Sequence, residues 1–202
     1  MDSLTDNQIL SLITVSKTRE KGFQILIDKY KVKVYWHIRR MVIDHEDTDD
    51  VLQEVFIKIW KNIHKFRGDS DLYTWIYRIA SNEALGFLRK KKRRLIFYAK
   101  TNQESLTEKL HNDAFFSGDQ FATRLQEALL LLPDRQRMVF NMKYFEEMKY
   151  EEISKITGLS AGGLKASYHH AVKKIKKELT EIKPFEKKVI KHTNETPGSH
   201  TE

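Results

Sequence analysis

The chain has 202 residues and a formal net charge of +8, from 36 Lys or Arg against 28 Asp or Glu. It has no cysteine, which excludes a disulfide framework, a thiolate metal site and a cysteine nucleophile. No run of about 18 apolar residues lacks a charge, and the first residues resemble no signal peptide, so we expect a cytoplasmic protein without a membrane span. Only 3 Pro and 8 Gly occur among many Leu, Ile, Lys and Glu, which favours an all-α fold.

The charged residues are arranged in alternating blocks along the chain. Residues 21–40, 81–100 and 161–180 carry net charges of +5, +6 and +4, whereas residues 41–60 and 101–120 carry −5 and −3. A single block of this kind is common on a solvated helix face. Three basic blocks separated by acidic ones indicate several polyanion contacts and at least one basic partner surface.

Four amphipathic helices are predicted in the first part of the chain from apolar residues that recur every three or four positions. Thr5 is the expected cap of the first helix, and Asp47 or Thr48 that of the third. In chain order, the predicted extents are 5–17, from Phe23 to a polar run at 43–47, from Thr48 to the loop 64–71, and about 71–93.

The periodicity fades over residues 95–119, which are polar, acidic and interrupted by Gly118, and we interpret them as a flexible linker. A helix from Phe121 then ends at Pro133, and another is expected over 135–148. The predicted organisation is therefore two small helical domains joined by the linker and followed by a disordered tail, with boundaries at 1–94, 95–119, 120–182 and 183–202.

A helix-turn-helix pattern occupies residues 150–177. Gly158 can adopt the positive φ that a tight turn between two steeply crossed helices requires. The small Ser154 permits close approach of the helices, and Leu164 fills the angle between them. The pattern as a whole comprises Glu152, Ile153, Ser154, Gly158, Ser160 and Leu164. A plain αα-hairpin is the alternative, although the outward face of the second helix is rich in Lys and His, which suits phosphates.

Four stretches carry a resemblance to a known family, and they lie in the family's order and spacing: DTDDVLQEVFIKIW at 47–60, FRGDS at 66–70, YTWIYRIASN at 73–82 and LPDRQR at 132–137 ahead of the helix-turn-helix. Over about residues 5–180 the chain resembles an RNA polymerase sigma factor of the extracytoplasmic-function (ECF) type in the sigma-70 family. The resemblance implies a transcription initiation factor that binds core polymerase and selects promoters.

The resemblance implies that the third helix docks on the clamp coiled coil of the largest polymerase subunit. The residues implied are Asp47, Asp50, Gln53, Glu54, Lys58 and Trp60. An acidic amphipathic helix suits a complementary partner helix, although a solvated acidic face of a helical bundle is the alternative. The acidic cluster does not fit an EF-hand, because the glycine is missing and Val55 stands where the bidentate Glu belongs. We therefore expect no metal and no cofactor.

The resemblance also implies two DNA contacts. The loop 66–71 and the fourth helix would open the minus ten element, through Arg67, Asp69, Ser70, Tyr73, Tyr77, Arg78, Asn82, Arg89, Lys90 and Arg93. Trp75 lies on the apolar stripe and is assigned to the core. The recognition helix would enter the major groove at the minus thirty-five element, through Lys165, Ser167, His169, His170, Lys173 and Lys174. The family commonly has Gly-Thr-Val-Lys-Ser-Arg here, whereas this chain has Gly-Gly-Leu-Lys-Ala-Ser at 162–167, so the usual arginine is missing.

The partners implied are core RNA polymerase, through its largest and second-largest subunits, and promoter DNA as duplex and melted strand; an anti-sigma factor is a further possible partner. No nucleophile, base and orienting group come from neighbouring motifs, so no enzymatic activity is expected. The rival hypothesis is a helix-turn-helix regulator that binds duplex DNA without polymerase.

Overall fold

The computed structural model describes residues 4–97, Leu110 and residues 120–181, and all regular structure in these ranges is helical. The first half of the described chain contains α1 (Asp6–Thr14), α2 (Arg19–Val42), α3 (His45–Asn62) and α4 (Leu72–Phe97), with 3₁₀ turns at Ser16–Thr18 and Ile63–Lys65. The second half contains α5 (Gln120–Leu130), α6 (Asp134–Tyr144), α7 (Tyr150–Thr157) and α8 (Ala161–Glu181). The all-α prediction is confirmed for this part of the chain. None of its helices is both long and apolar enough to cross a membrane.

The first helix begins as predicted, with Thr5 as its cap. The Thr5 hydroxyl accepts from the amide of Gln8, whose side chain accepts in turn from the Thr5 amide at 2.8 Å. This reciprocal pair satisfies amides that have no partner within the helix. A hydrogen bond from the Tyr30 hydroxyl to Asp6, 2.8 Å long, attaches α1 to α2.

The start of the third helix was predicted wrongly. Instead of Asp47 or Thr48, Asp44 is the cap of α3, and its carboxylate accepts from the Asp47 amide at 2.9 Å. Asp44 has extended backbone dihedrals, and Ile43 before it has a φ of 71°, so the chain turns sharply between α2 and α3. Thr48 is instead buried inside the helix, where its hydroxyl donates to the Asp44 carbonyl at 2.6 Å.

Further helix ends differ from prediction. Helix α1 ends at Thr14, not at 17, and α2 begins at Arg19, ahead of Phe23. Helix α4 continues to Phe97, past the predicted end at 93 and past the predicted domain boundary at 94, because its Lys and Arg residues are good helix formers and no breaker follows. Helix α6 ends at Tyr144, not at 148, and is followed by Glu147 with a φ of 53°. Apart from 95–97 and Leu110, the predicted linker lies outside the described residues, as does the whole predicted tail.

One hydrophobic core extends through both halves of the molecule. In the first half, fully buried side chains of α2 such as Leu26 and Ile38 pack with the inward faces of α1, α3 and α4. Met138 and Met142 of α6 and Ile153 of α7 belong to the same cluster. A smaller cluster holds α5, α6 and α8 together. The two predicted domains are therefore packed against each other, with α6 and α7 lying on α2 and α4.

The crossing of α1 and α2 depends on a glycine. A Cβ at Gly22 would stand 2.8 Å from Leu12 Cβ and 2.9 Å from the Ile13 backbone nitrogen, whereas a Cβ at Gly86 of α4 would meet nothing within 4 Å. Backbone atoms cannot move aside as a flexible side chain can, so α1 would have to shift.

We therefore expect opposite effects from the same substitution at these two helical glycines. Gly22→Ala should lower the free energy of unfolding by about 1–2 kcal/mol, because overpacking outweighs the gain in helix propensity. Gly86→Ala, the matched control, should raise it by up to ~1 kcal/mol. Urea unfolding followed by circular dichroism measures both, and equal effects would contradict the close approach at Gly22.

Candidate functional site

Only part of the acidic face of α3 is free of contacts with the rest of the molecule. Asp50, Gln53 and Glu54 are exposed, as the predicted contact with a partner requires. Asp47 is paired with Lys91 of α4, and Lys58 with Glu83 of α4 at 2.5 Å. Two of the six predicted docking residues thus form ion pairs between α3 and α4, and the free carboxylates are concentrated in the middle of α3.

An apolar groove lies beside this face, between α2 and α3. The ring of Trp60 packs edge-on against Phe23, with centroids 4.8 Å apart, and the guanidinium of Arg19 lies 4.4 Å from the Trp60 ring centroid. The groove has a volume of about 460 Å³ and is lined by Glu20, Phe23, Gln24, Gln53, Phe56, Ile57 and Trp60. The groove can take apolar side chains, and its lining includes the carboxylate of Glu20.

Of the lining residues of the groove, only Gln53 and Trp60 were predicted as site residues, and the apolar residues that were missed are Phe23, Phe56 and Ile57. Phe23 and Phe56 fall on the apolar stripes of their helices, which by themselves do not distinguish core from groove. Ile57 is 37% exposed, although it is large and aliphatic. The sequence signal that could have found it is the run of three apolar residues from Val55 to Ile57, because one helix face cannot bury three consecutive positions.

The loop between α3 and α4 borders a polar pocket of about 630 Å³. Gly68 has a φ of 80°, which turns the chain there. The predicted Arg67 and Asp69 are exposed and Ser70 is half-buried. Besides this loop, the polar lining comes from α1, α2 and α7, and it includes Asp6, Asn7, Lys29, Asp69, Ser70, Asp71 and Lys155. The pocket therefore offers hydrogen-bond donors and acceptors to a polar ligand.

The predicted aromatic residues of α4 are less accessible than expected. Tyr73 is half-buried, and Tyr77 is only 2% exposed, with the two ring centroids 4.2 Å apart. Burial raises the pKa of Tyr73 to about 12 and raises that of Tyr77 further, with the charge of Glu146 adding to both. Tyr77 therefore offers no free surface to a ligand in this arrangement. Trp75 is also half-buried and packs on Phe66, with centroids 5.6 Å apart.

Two of the predicted polar residues on α4, Arg78 and Asn82, are exposed. Arg78 also has a hydrogen-bond partner in the second half of the molecule. Its guanidinium donates to the Lys155 carbonyl at 2.5 Å. Farther along α4, Arg89, Lys90 and Arg93 all face solvent. These three cations lie on one side of the helix end and can follow a phosphate backbone.

The helix-turn-helix is formed by α7 and α8. Gly158 has a φ of 74° and its amide donates to the Ser154 carbonyl at 2.8 Å, while the Ser154 hydroxyl donates to the Leu159 carbonyl at 2.7 Å. Ile153 and Leu164 are fully buried between the helices. The hydroxyl of Ser160 accepts from the Gly163 amide at 3.2 Å. Glu152 accepts from the Lys149 amide at 2.7 Å, at the start of α7.

The outward face of α8 is basic and accessible. The exposed residues among those predicted to contact DNA are Lys165, His169, His170, Lys173 and Lys174, and Ser167 is half-buried. Lys165 lies over the Tyr150 ring, 5.8 Å from its centroid, which places its ammonium near the start of α7. On the opposite face, Tyr168 stacks on Phe140 with centroids 5.6 Å apart. Helix α8 therefore separates an apolar inner face from a cationic outer face, as a groove-binding helix requires.

Two family matches cover these surfaces. Residues 26–94 match the family described as Sigma-70 region 2, and residues 122–175 match the family described as Sigma-70, region 4. The first match includes the α3 face, the loop and the basic end of α4. The second match includes α7 and most of α8.

Relatives that align with most of the chain show the same relationship. The chain is 30% identical to ECF RNA polymerase sigma factor SigW of Bacillus subtilis over 176 residues, which covers 83% of this chain and 94% of the relative. It is also 30% identical to the ECF RNA polymerase sigma-E factor of Escherichia coli, with 84% and 92% covered.

Two solved structures share the fold. The sigma factor RpoE in complex with the anti-sigma factor NepR from Bartonella quintana superposes with a TM-score of 0.63 at 19% identity, over 80% of this chain and 98% of that one. CnrH in complex with the cytosolic domain of CnrY gives a TM-score of 0.61 at 20% identity, over 86% and 94%.

The buried phenols of Tyr73 and Tyr77 predict a loss of stability at alkaline pH. Because burial raises both pKa values above 10.0, the folded state favours the neutral phenols. Their contribution to stability is complete below pH ~10 and is lost as the pH rises towards about 12. Phenolate absorbance should therefore rise together with unfolding in this range. Tyr77→Phe should make the loss of stability less steep, and ionisation of all tyrosines near pH 10 without unfolding would contradict the assignment.

Proposed function

The chain belongs to the sigma-70 family of RNA polymerase sigma factors, in its ECF group, and from this membership we propose which of its surfaces meet polymerase and which meet the promoter. It binds core RNA polymerase and directs promoter-specific initiation of transcription. The observation that carries this function is the occurrence of region 2 and region 4, in that order, along one chain that aligns with ECF sigma factors over 83–84% of its length.

The first proposed surface is the groove between α2 and α3, with the exposed carboxylates beside it, as the contact for the largest polymerase subunit. An amphipathic partner helix can place apolar side chains against Phe56, Ile57 and Trp60 and basic ones against Glu54. The charges steer the encounter and set its orientation, while the apolar contact supplies affinity. Support comes from the combination of an open apolar groove with free carboxylates on the same helix.

The second proposed surface is the loop 66–71 with the exposed side of α4, as the contact for the minus ten element. Opening a duplex costs a few kcal/mol for each unstacked base, and stacking on an aromatic ring returns about 1–3 kcal/mol per base. The half-exposed Tyr73 and the polar pocket beside Asp69 and Ser70 can receive such bases. Arg89, Lys90 and Arg93 supply phosphate contacts, which position the protein without reading sequence.

The third proposed surface is the outer face of α8, as the contact for the minus thirty-five element. In the absence of the family's usual arginine, Lys165, His169 and His170 stand where base edges of the major groove can be reached. Lys173 and Lys174, one turn farther on, fit phosphates. Sequence reading would then depend on two imidazoles as well as on a lysine.

Further partners and the site of action follow from the relatives. We extend the proposal to the second-largest polymerase subunit and to an anti-sigma factor, since one structural neighbour was solved with its anti-sigma factor. The proposed role is binding without chemistry of its own, in the cytoplasm, where RNA polymerase works. A stand-alone DNA-binding regulator is not favoured, because it would give region 2 no role.

Reconstitution tests the function directly. The purified chain is added to bacterial core polymerase on fragmented genomic DNA, and transcript starts are mapped by sequencing. We expect starts that share upstream elements and that depend on the chain. If it does not associate with core enzyme but protects duplex DNA by itself, it is a stand-alone regulator.

A charge reversal on α3 tests the docking surface. Glu54→Arg should weaken association with core polymerase by at least about tenfold, because a complementary charge becomes a repulsive one. Glu147→Arg, an exposed charge reversal in the turn after α6, is the matched control and should leave the affinity unchanged. Titration of labelled core enzyme measures both, with circular dichroism as a check on folding. Equal affinities for both variants would mean that α3 is not the docking helix.

A further inference from the structure

A third pocket lies between the end of α1, the start of α2 and the 3₁₀ turn that follows α3. It has a volume of about 370 Å³, within the range of pockets that bind small molecules, roughly 300–1,000 Å³. One wall is apolar and consists of Leu10 and Ile13 of α1 with Ile63 and Phe66. Ile13 and Ile63 are almost fully buried, so this wall is an edge of the hydrophobic core.

The opposite edge of the pocket is polar and carries hydrogen-bond donors. It consists of Thr14, Ser16, Arg19 and His64. The Thr14 hydroxyl already donates to the Leu10 carbonyl at 2.9 Å, which leaves a hydroxyl, a guanidinium and an imidazole as donors for a ligand. The lining contains no carboxylate, whereas the groove between α2 and α3 contains Glu20 and the polar pocket contains three aspartates.

The two segments that form the polar edge are basic. Residues 14–19 contain Lys17 and Arg19, residues 61–67 contain Lys61, Lys65 and Arg67, and neither segment contains Asp or Glu. A cleft with charges of one sign and apolar walls concentrates the electric field and attracts ions of the opposite sign. The charge around this pocket therefore favours an anion.

The guanidinium of Arg19 is already held at the edge of the pocket. Its Nη2 donates to the Trp60 carbonyl at 3.5 Å, and its Cζ lies 4.4 Å from the Trp60 ring centroid. Its Nε and Nη1 have no hydrogen-bond partner in the part of the chain that the structure describes. A guanidinium presents its donors as a planar fork that matches two oxygens of a carboxylate or phosphate. Arg19 can therefore bind an anionic head group while it keeps its contact with Trp60.

We propose that this pocket binds a small organic anion, with its carboxylate or phosphate head on Arg19 and its apolar body on Ile13 and Ile63. Ser16 and His64 donate to the same head group. An inorganic anion would leave the apolar wall in contact with water, and a neutral apolar molecule would leave the guanidinium donors unused. The pocket therefore selects ligands that have both parts.

Methyl NMR of the full chain, labelled at the isoleucine Cδ1 positions, locates the binding. Ile13 and Ile63 report on the pocket, and Ile175 of α8, which belongs to the separate smaller cluster, is the control position. The probes are phenylbutyrate and phenyl phosphate, which are organic anions with different heads. Phenylbutyramide is the neutral analogue of the first, and inorganic phosphate is the head without a body.

We expect both organic anions to shift the Ile13 and Ile63 signals saturably, with millimolar dissociation constants, and to leave Ile175 unchanged. Phenylbutyramide should bind at least about tenfold more weakly than phenylbutyrate, because it loses the charge-assisted hydrogen bonds. A difference between the two organic anions identifies the preferred head group.

Two substitutions at the polar edge test the assignment of the head group. Arg19→Gln removes the fork, and Ser16→Glu places a carboxylate at the pocket edge, so each should lower the affinity for phenylbutyrate at least about tenfold. Lys17→Gln, the matched control, removes an exposed neighbouring charge that does not line the pocket and should change the affinity by less than about twofold. Circular dichroism checks folding, and Ser16→Glu, at an exposed position, decides the matter if Arg19→Gln does not fold.

Four results would overturn the inference. They are unchanged Ile13 and Ile63 signals with both organic anions, equal affinity for phenylbutyrate and its amide, equal affinity for inorganic phosphate and the organic anions, and unchanged affinity in both Arg19→Gln and Ser16→Glu. If a single-stranded DNA of random sequence shifts these signals and the organic anions do not, the pocket belongs to the DNA surface instead. None of these measurements involves polymerase, so their outcome is independent of the proposed function.

Discussion

The structure depends on the burial of helix α2 on more than one side. Along its length, Leu26, Val34 and Ile38 face the core of the first half, while its last turn, with His37 and Met41, meets α6 and the following turn. A helix buried in this way needs polar partners for its terminal carbonyls, since water does not reach them. Arg137 and Asn141 provide these partners from the second half. The packing of the two halves therefore supplies hydrogen-bond donors for the terminal carbonyls of α2.

The charge blocks have two uses in the folded chain. Some of these charged residues form ion pairs within the molecule: Lys91 pairs with Asp47, and Lys92 pairs with Asp134. The more exposed of the two, Lys92 with Asp134, contributes little to stability, about 0–1 kcal/mol. The remaining charges are separated by sign, with free carboxylates on α3 and free cations on the end of α4 and on α8. One chain thereby carries an acidic surface, which we propose as the contact for polymerase, and basic surfaces, which we propose as contacts for DNA.

Helix positions and the turn of the helix-turn-helix were predictable because they depend on local chemistry. Thr5 and Gly158 act through hydrogen bonds and a backbone dihedral within a few residues of themselves. The cap of α3 was missed because Asp44, Asp47 and Thr48 are all good caps, and the choice between them depends on the backbone turn at Ile43. The end of α4 was missed because charged residues were taken as a boundary, although they favour a helix.

The sequence by itself determined the helices, the order of region 2 and region 4, and the exposed cationic face of α8, because periodicity and turn residues are local properties. Only the tertiary structure decided that Tyr77 is covered, that Arg137 caps a helix far away in the chain, and that Glu146 meets His37 across 109 positions. Periodicity shows that a face is apolar but does not identify what covers it. Which segment covers an apolar face depends on the match of shape and charge between segments that are distant in sequence.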